Sequence, residues 1–364
     1  MYMKKISLLV KAIQLFSYIA ITSILLVEAI GFFVFDNRYN WDLRYLYYSQ
    51  DPIVNDLSTS KPFWKYKPNS KIRFVATYQN LFSMNVEYDC TFNSNKYGFI
   101  DTGKVDDNVN FLVLGDSFTE GHGGCPWLTA EALLQDKHLS NSKILNGGLQ
   151  GAGILQFEQV LEYFESELDI ENIIIIAISN DFKRGDAFHW ETNTECYTNG
   201  ICNKDDSWHY IPIDSSKEAI LSFSHTRSHD SDISFFDRLI RRSFTHRLYS
   251  EYQTIYKAFY NDQSFQKHDD MTPYMKNLEA LERIKFKYPN LKIILVNQRD
   301  EVGLFSQKNR DTELIEKYLK TKKYNVGWCN LNASDYMPLD GHPNNQGYKK
   351  LFRCLSNTAK PKLN

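Results

Sequence analysis

Six consecutive residues, Ile173-Ile174-Ile175-Ile176-Ala177-Ile178, carry no polar side chain. A short apolar run with this many β-branched residues reads as a strand buried on both faces, and such strands belong to parallel sheets covered by helices. Four further runs of the same kind lie at Asn110 to Leu114, Lys143 to Leu145, Lys292 to Val296 and Asn325 to Cys329. Amphipathic stretches separate them, at Trp127 to Lys137, Ile154 to Leu168, Tyr274 to Phe286 and Asp311 to Lys322. Strand and helix in alternation predict an α/β fold, a three-layer α/β/α sandwich around a mostly parallel five-stranded sheet. An insertion of 90 residues, 182–271, interrupts the alternation between the third and fourth strands.

A second feature lies at the other end of the chain. From Ile6 to Phe35 the chain is almost entirely apolar, with Lys11 and Glu28 its only charged residues, and the uncharged centre, Ala12 to Val27, has 16 residues. With apolar flanks and snorkelling charges this is long enough for a transmembrane helix. Lys4, Lys5 and Lys11 precede the uncharged centre, which places the N-terminus in the cytoplasm and the remainder outside. A cleaved signal peptide would use Val27-Glu28-Ala29, yet the apolar run continues through Ile30 to Phe35. A buried helix of the main domain is the third reading.

The six cysteines, Cys90, Cys125, Cys196, Cys202, Cys329 and Cys354, form no C-x-x-C pair and no zinc-like spacing with histidine. Their even number and placement in loops fit an oxidising compartment, with Cys196 and Cys202 placed for a local disulfide. Lys+Arg at 42 against Asp+Glu at 44 leaves no basic field for a polyanion, so nucleic acid is not an expected partner. The histidines of the insertion, His189, His209, His225 and His229, are irregularly spaced and read as loop residues rather than metal ligands. No metal and no cofactor is expected. A helix near Phe235 to Tyr260, mixing aromatics with Arg238, Arg241, Arg242 and Arg247, reads as a lid packed on the core, with contact to lipid headgroups as the alternative.

In open α/β sheets ligands bind beyond the carboxyl ends of the strands. The first strand there meets Gly115-Asp116-Ser117-Phe118-Thr119-Glu120-Gly121, a serine on a tight turn; the second ends in Asn146-Gly147-Gly148-Leu149-Gln150-Gly151; the third in Ser179-Asn180-Asp181. Asp340-Gly341-His342-Pro343-Asn344 follows near the C-terminus. These four segments, in this order, resemble the conserved blocks of the SGNH (GDSL-like) hydrolase superfamily, over about Asn110 to Leu355 without the insertion. The resemblance implies an SGNH/flavodoxin-like sheet and a serine esterase. Ser117 would be nucleophile, His342 general base and Asp340 its orienting acid, with Ser117, Gly151 and Asn180 as oxyanion donors.

Two departures stand out. The third block lacks the family's glycine and carries Ser179 before Asn180. The last block has one residue between Asp340 and His342, where two are usual. A Ser-His dyad therefore stays open beside the triad, with Asp335 a poor substitute.

The expected organisation is a cytoplasmic tip and transmembrane anchor over 1–35, a stalk with short strands over 36–108, the hydrolase-like domain over 109–357 and a polar tail over 358–364. The function this implies is an extracytoplasmic, membrane-anchored serine esterase or O-acyltransferase acting on acyl esters, first of all acetyl esters, of a cell-surface glycan. A lipase or lysophospholipase-type esterase is the second reading. A catalytically inactive glycan- or protein-binding module is the third.

Overall fold

The structure is a computed structural model of the 364-residue chain and describes residues 2–34, 43–49, 53–54, 64–79, 84–103, 107–184, 209–229, 271–302, 309–337 and 340–360. Its contacts define two compact units, Met1–Arg44 with Tyr78–Asn85 and Leu221–His268, and Tyr45–Thr77 with Val86–Ile220 and Asp269–Asn364. In the first unit helix α1, Tyr2–Val34, runs 33 residues. Its segment Ile13–Ile30 has a mean hydropathy of 1.9 and no buried residue, and Phe16 is 75% exposed. One N-terminal helix is thus long and apolar enough to be a membrane span or a signal sequence.

Five strands come first, lying mainly in the second unit: β1, Leu43–Tyr48; β2, Ile53–Val54; β3, Trp64–Lys65; β4, Lys71–Gln79; and β5, Met84–Asn93; the first two residues of β1, the last two of β4 and the first two of β5 belong to the first unit. Then come β6, Asn108–Val109; β7, Phe111–Gly115; α2, Ser117–Glu120; α3, Ala130–Leu134; β8, Ile144–Gly148; α4, Ile154–Glu165; β9, Asp169–Ile170; and β10, Ile173–Ala177. The remainder is β11, His209–Tyr210; α5, Lys217–His229, which belongs to the first unit from Leu221 on; α6, Met275–Lys287; β12, Lys292–Val296; α7, Arg310–Thr321; β13, Asn325–Cys329; and α8, Asn345–Ala359.

The main sheet has the order β13-β12-β10-β7-β8, and each neighbouring pair is parallel. Every residue of β10 and β8 is buried, as continuous apolar runs require when both faces are covered. Val113, Ile174, Ile176, Ile294 and Val296 share one core cluster with Tyr348, Leu351 and Leu355 of α8. Successive strand residues point to opposite faces, so Leu112, Leu114, Ile175, Ile293 and Leu295, also buried, belong to the other. In sequence order the five strands lie 2-1-3-4-5. The order reverses between the first and third, β7 and β10, and ligand crevices in such sheets open at that point.

The reading of 36–108 as a stalk with short strands needs correction. β4 and β5 have nine and ten residues and lie in a four-stranded sheet of order β11-β1-β4-β5. Tyr47, Val75, Ile211 and Ile220 form a buried cluster there. The strands alternate polar and apolar residues, which hides their length in a search for continuous apolar runs. The proposed edge of the main domain at 357 falls inside the last turn of α8, which ends at Ala359.

The cysteines are also placed differently from the expectation of loops. Cys90 lies in β5, Cys329 in β13 and Cys354 in α8. Disulfides join Cys90 to Cys125 and Cys329 to Cys354. The first links β5 to the loop after α2; the second fastens α8 to the edge strand. Cys196, Cys202, His189 and the segment Phe235 to Tyr260 lie outside the described residues, as do the side chains of His209, His225 and His229.

Candidate active site

β7 ends at Gly115 and α2 starts at Ser117, so the serine opens a one-turn helix at the sheet's carboxyl edge. Asp116 caps that turn, its Oδ1 accepting the Phe118 N–H at 2.8 Å. Two glycines make the approach feasible. A Cβ on Gly115 would lie 1.8 Å from Thr119 Oγ1, and one on Gly148 would lie 2.4 Å from the Glu120 nitrogen. Asn146, fully buried on β8, donates its amide to the Thr119 carbonyl at 3.0 Å and accepts the Gly148 N–H at 2.8 Å. The second block thus braces the nucleophile turn.

His342 arrives from the loop before α8. Its Nε2 lies 2.8 Å from Ser117 Oγ and its Nδ1 lies 2.7 Å from Asp340 Oδ2. The Asp340 side chain is fully buried, that of His342 is 12% exposed, and Ser117 is 6% exposed. The single residue between acid and base, Gly341, has φ +77, in the left-handed region that favours glycine. The short spacing therefore reaches the imidazole. Asp335 is engaged elsewhere: it accepts the Asn332 N–H at 2.6 Å and pairs with Lys350.

Gly151 has φ +75 in the turn closed by the Ala152 N–H on the Leu149 carbonyl. Asn180 lies in the 3-10 turn Ser179–Phe182 and is exposed, while Ser179, Asp181 and Phe182 are buried. The missing glycine of this block has a simple account. Ile178 occupies its position with φ −99 and ψ 162, extended backbone open to any residue. Ser179 Oγ accepts from Gln298 Nε2 at 2.9 Å, which fixes the turn to the end of β12.

Several polar residues around the site were not singled out from sequence. Glu120 and His122 are completely buried, with His122 Nε2 2.9 Å from Glu120 Oε2. Tyr66 OH donates to the other Glu120 oxygen. The His122 ring stacks on Phe74 with centroids 4.8 Å apart and lies 5.4 Å from the ring of His342. Tyr348 OH donates to the His122 carbonyl at 2.7 Å, and burial pushes its pKa well above the ordinary phenol value, so it stays a neutral donor. Glu87 of β5 accepts from the Asp340 N–H at 3.4 Å. Arg184 pairs with both Asp116 and Asp181. The Asp181 carboxyl is held well above the usual range, by burial first and by the neighbouring Asp116 second, against the opposing pull of Arg184. Proximity in sequence to Ser117 and Asn180 was the one available signal for Glu120, His122 and Arg184; Tyr66 and Glu87 carry none. Among the described residues, no group of three or more His, Cys, Asp or Glu side chains is placed to hold a metal ion.

No protein-family model matches the chain, and no curated protein matches it in sequence. Solved structures do. The acetylxylan esterase Axe2 of Geobacillus stearothermophilus aligns over 71% of this chain and 98% of its own, at 10% identity and a TM-score of 0.36. A carbohydrate esterase family 2 enzyme with a carbohydrate-binding domain, from Corynascus thermopiles, aligns over 88% of this chain and 86% of its own, at 11% identity and a TM-score of 0.32. LAE5, an alpha/beta hydrolase enzyme from the metagenome of Lake Arreo, aligns over 71% and 97%, at 9% identity and a TM-score of 0.36. Likenesses this distant leave the reading of the site to its own geometry.

Proposed function

We propose that the chain is an extracytoplasmic serine esterase or O-acyltransferase acting on acyl esters, acetyl esters first, of a cell-surface glycan. The observation that carries the reading is the continuous contact from Asp340 through His342 to Ser117, at 2.7 and 2.8 Å. A serine hydroxyl becomes a useful nucleophile when an adjacent base takes its proton, and a carboxylate on the far ring nitrogen holds the base in the right tautomer. Ser117 attacks the ester carbonyl as His342 accepts its proton. His342 then returns that proton to the departing sugar alkoxide, leaving an acyl-serine. Water completes a hydrolysis, or a second sugar hydroxyl a transfer, through the same steps in reverse. In this reading the backbone N–H groups of Ser117 and Gly151 and the Asn180 side chain hold the oxyanion.

The location follows from separate features. The exposed apolar helix α1 serves as the anchor, the lysines in its first turns set its N-terminus in the cytoplasm, and two disulfides suit an oxidising exterior. A glycan is the preferred substrate because a catalytic domain tethered outside a membrane meets such polymers. That preference rests on compartment and on the resemblance to the SGNH hydrolases rather than on any specificity residue.

The test is covalent labelling of the full-length, detergent-solubilised protein by a fluorophosphonate, with acetate release from acetylated oligosaccharides measured alongside. The wild type is expected to label and to release acetate, and Ser117→Ala to do neither. Folded wild-type protein that is inert to the probe and to every acyl ester offered would overturn the esterase reading.

A further inference from the structure

Three loops from three strands must present their donors to one oxygen atom if the esterase reading holds, and this inference rests on that reading. We propose that Arg184 is the positioning residue of that oxyanion site: its guanidinium ties the loops of Ser117, Gly151 and Asn180 into one rigid body. Its side chain is 11% exposed and meets all three. Nη2 lies 3.2 Å from Asp116 Oδ2 in the nucleophile turn; Nη1 lies 3.2 Å from Asp181 Oδ1, one residue from Asn180; Nη1 also donates to the Ala152 carbonyl, one residue from Gly151.

Each carboxylate divides its two oxygens in the same way. Asp116 gives one to the Phe118 N–H of its own turn and the other to Arg184. Asp181 gives one to the Ile178 N–H at 3.0 Å and sets the other 3.2 Å from Arg184, an ion-pair contact rather than a hydrogen bond. Local shape and mutual placement are therefore set by the same two side chains. The backbone of Arg184 is itself held, since its carbonyl accepts from Asn277 Nδ2 at 2.8 Å while Asn277 Oδ1 accepts the Leu155 N–H at 3.1 Å. The fit around it is close. A Cβ on Gly153 would lie 2.7 Å from the Arg184 Cβ.

Strand pairing fixes β7, β8 and β10 up to their ends, but the donors sit beyond those ends. Oxyanion donors stabilise a transition state strongly only when they are already in place. A planar guanidinium with several fixed N–H directions can hold three acceptors in one geometry, whereas an ammonium on a flexible stem holds fewer and less rigidly. Arg184 touches the loops rather than the nucleophile itself, so it acts through them.

The experiment compares Arg184→Lys, which keeps the charge for the buried carboxylates, with Arg184→Ala, in full-length protein checked for folding by circular dichroism. A short-chain chromogenic ester is the substrate. Arg184→Lys is expected to lower kcat by about tenfold to a hundredfold, less than outright loss of a donor, with KM within about threefold. On an Asn180→Ala background the same substitution should cost less than it does in wild type, because one of the three donors it positions is already gone. A folded Arg184→Lys with kcat within about threefold of wild type would overturn the proposal, as would a penalty that multiplies in full on the Asn180→Ala background. Should Arg184→Ala fail to fold, the Lys series still decides. Wild-type protein inert to ester and fluorophosphonate removes the esterase reading and this proposal together. Active wild type with a silent Arg184→Lys removes this proposal alone.

Discussion

The two larger sheets of the second unit are built on different rules and bear on the site in different ways. The parallel sheet has five strands of five residues, and its central strand is buried throughout. Its carboxyl edge carries Ser117, Gly151 and Asn180. In the other sheet β5 alternates buried and exposed residues along its second half, as a strand with one covered face does. This sheet supplies none of the proposed reacting groups, yet Phe74 stacks on His122 and Glu87 reaches the Asp340 backbone. One sheet positions the chemistry; the other forms the wall behind its base. Changes at the edge of the first should therefore cost activity before stability, and changes in the second the reverse.

The sharpest way to break that contrast is Asp340→Asn. The carboxylate is fully buried against His342 Nδ1, so an amide there keeps the shape and favours the wrong tautomer. A loss of kcat on the order of 10⁴-fold is expected, as for a serine-protease triad, with a thermal midpoint close to wild type. Ester kinetics and differential scanning calorimetry on the same preparation check both halves. A loss under about tenfold would mean a Ser-His dyad, and Asp340 would then be part of the wall rather than of the machinery.

Phe74→Ala probes the other sheet. Phe74 is 1% exposed and touches the rings of Tyr88, Phe92 and His122. Truncation of a buried phenylalanine costs about 3–5 kcal/mol through lost burial and the cavity left behind. Chemical denaturation should show that loss, while kcat in the protein that remains folded falls by less than about tenfold, an upper bound equal to about 1.4 kcal/mol. A variant as stable as wild type but inactive would mean that the wall sets the chemistry directly.

The same contrast explains what could be read from sequence. Ile173 to Ile178 announced a two-sided strand, and all five strands of the parallel sheet lie where their apolar runs placed them. Three of the motif segments were legible because each sits at the end of such a strand; the fourth, Asp340 to Asn344, lies in the loop before α8. β4 and β5 were not, since alternation such as Lys71-Ile72-Arg73-Phe74 marks a strand without giving its length or partner. β1 pairs with β11 across the span from Tyr47 to His209, a separation no local pattern reveals. The disulfide partners Cys90 and Cys125 meet only because that second sheet packs beside the loop after α2. Glu120, His122 and Arg184 flank motif residues, but their partners lie in other loops or on the second sheet. Spacing along the chain could not distinguish them from surface polar groups.

The smallest expected effect concerns the loops at the edge of the parallel sheet, and it has a definite sign. Asp181 is buried beside Asp116, and both raise its pKa above the usual carboxylate value, burial more strongly, while Arg184 opposes them. A carboxyl whose folded pKa lies above its unfolded one binds its proton more tightly in the folded state. Its contribution to stability is complete below the unfolded value, about 3.9, and is lost as pH rises through the raised folded value. Asp181→Asn carries a neutral amide at every pH. It can still accept the Ile178 N–H, and its amide can donate toward Asp116. The stability of wild type relative to this variant should therefore decline as pH rises from about 4, by at most about 1.4 kcal/mol per pH unit. Urea midpoints for both proteins, taken in half-unit steps of pH, measure the difference. A wild type that gains stability over Asp181→Asn as pH rises would mean that Arg184 outweighs burial and Asp116. The charge of Arg184 would then govern the Asp181 carboxyl more than its burial does.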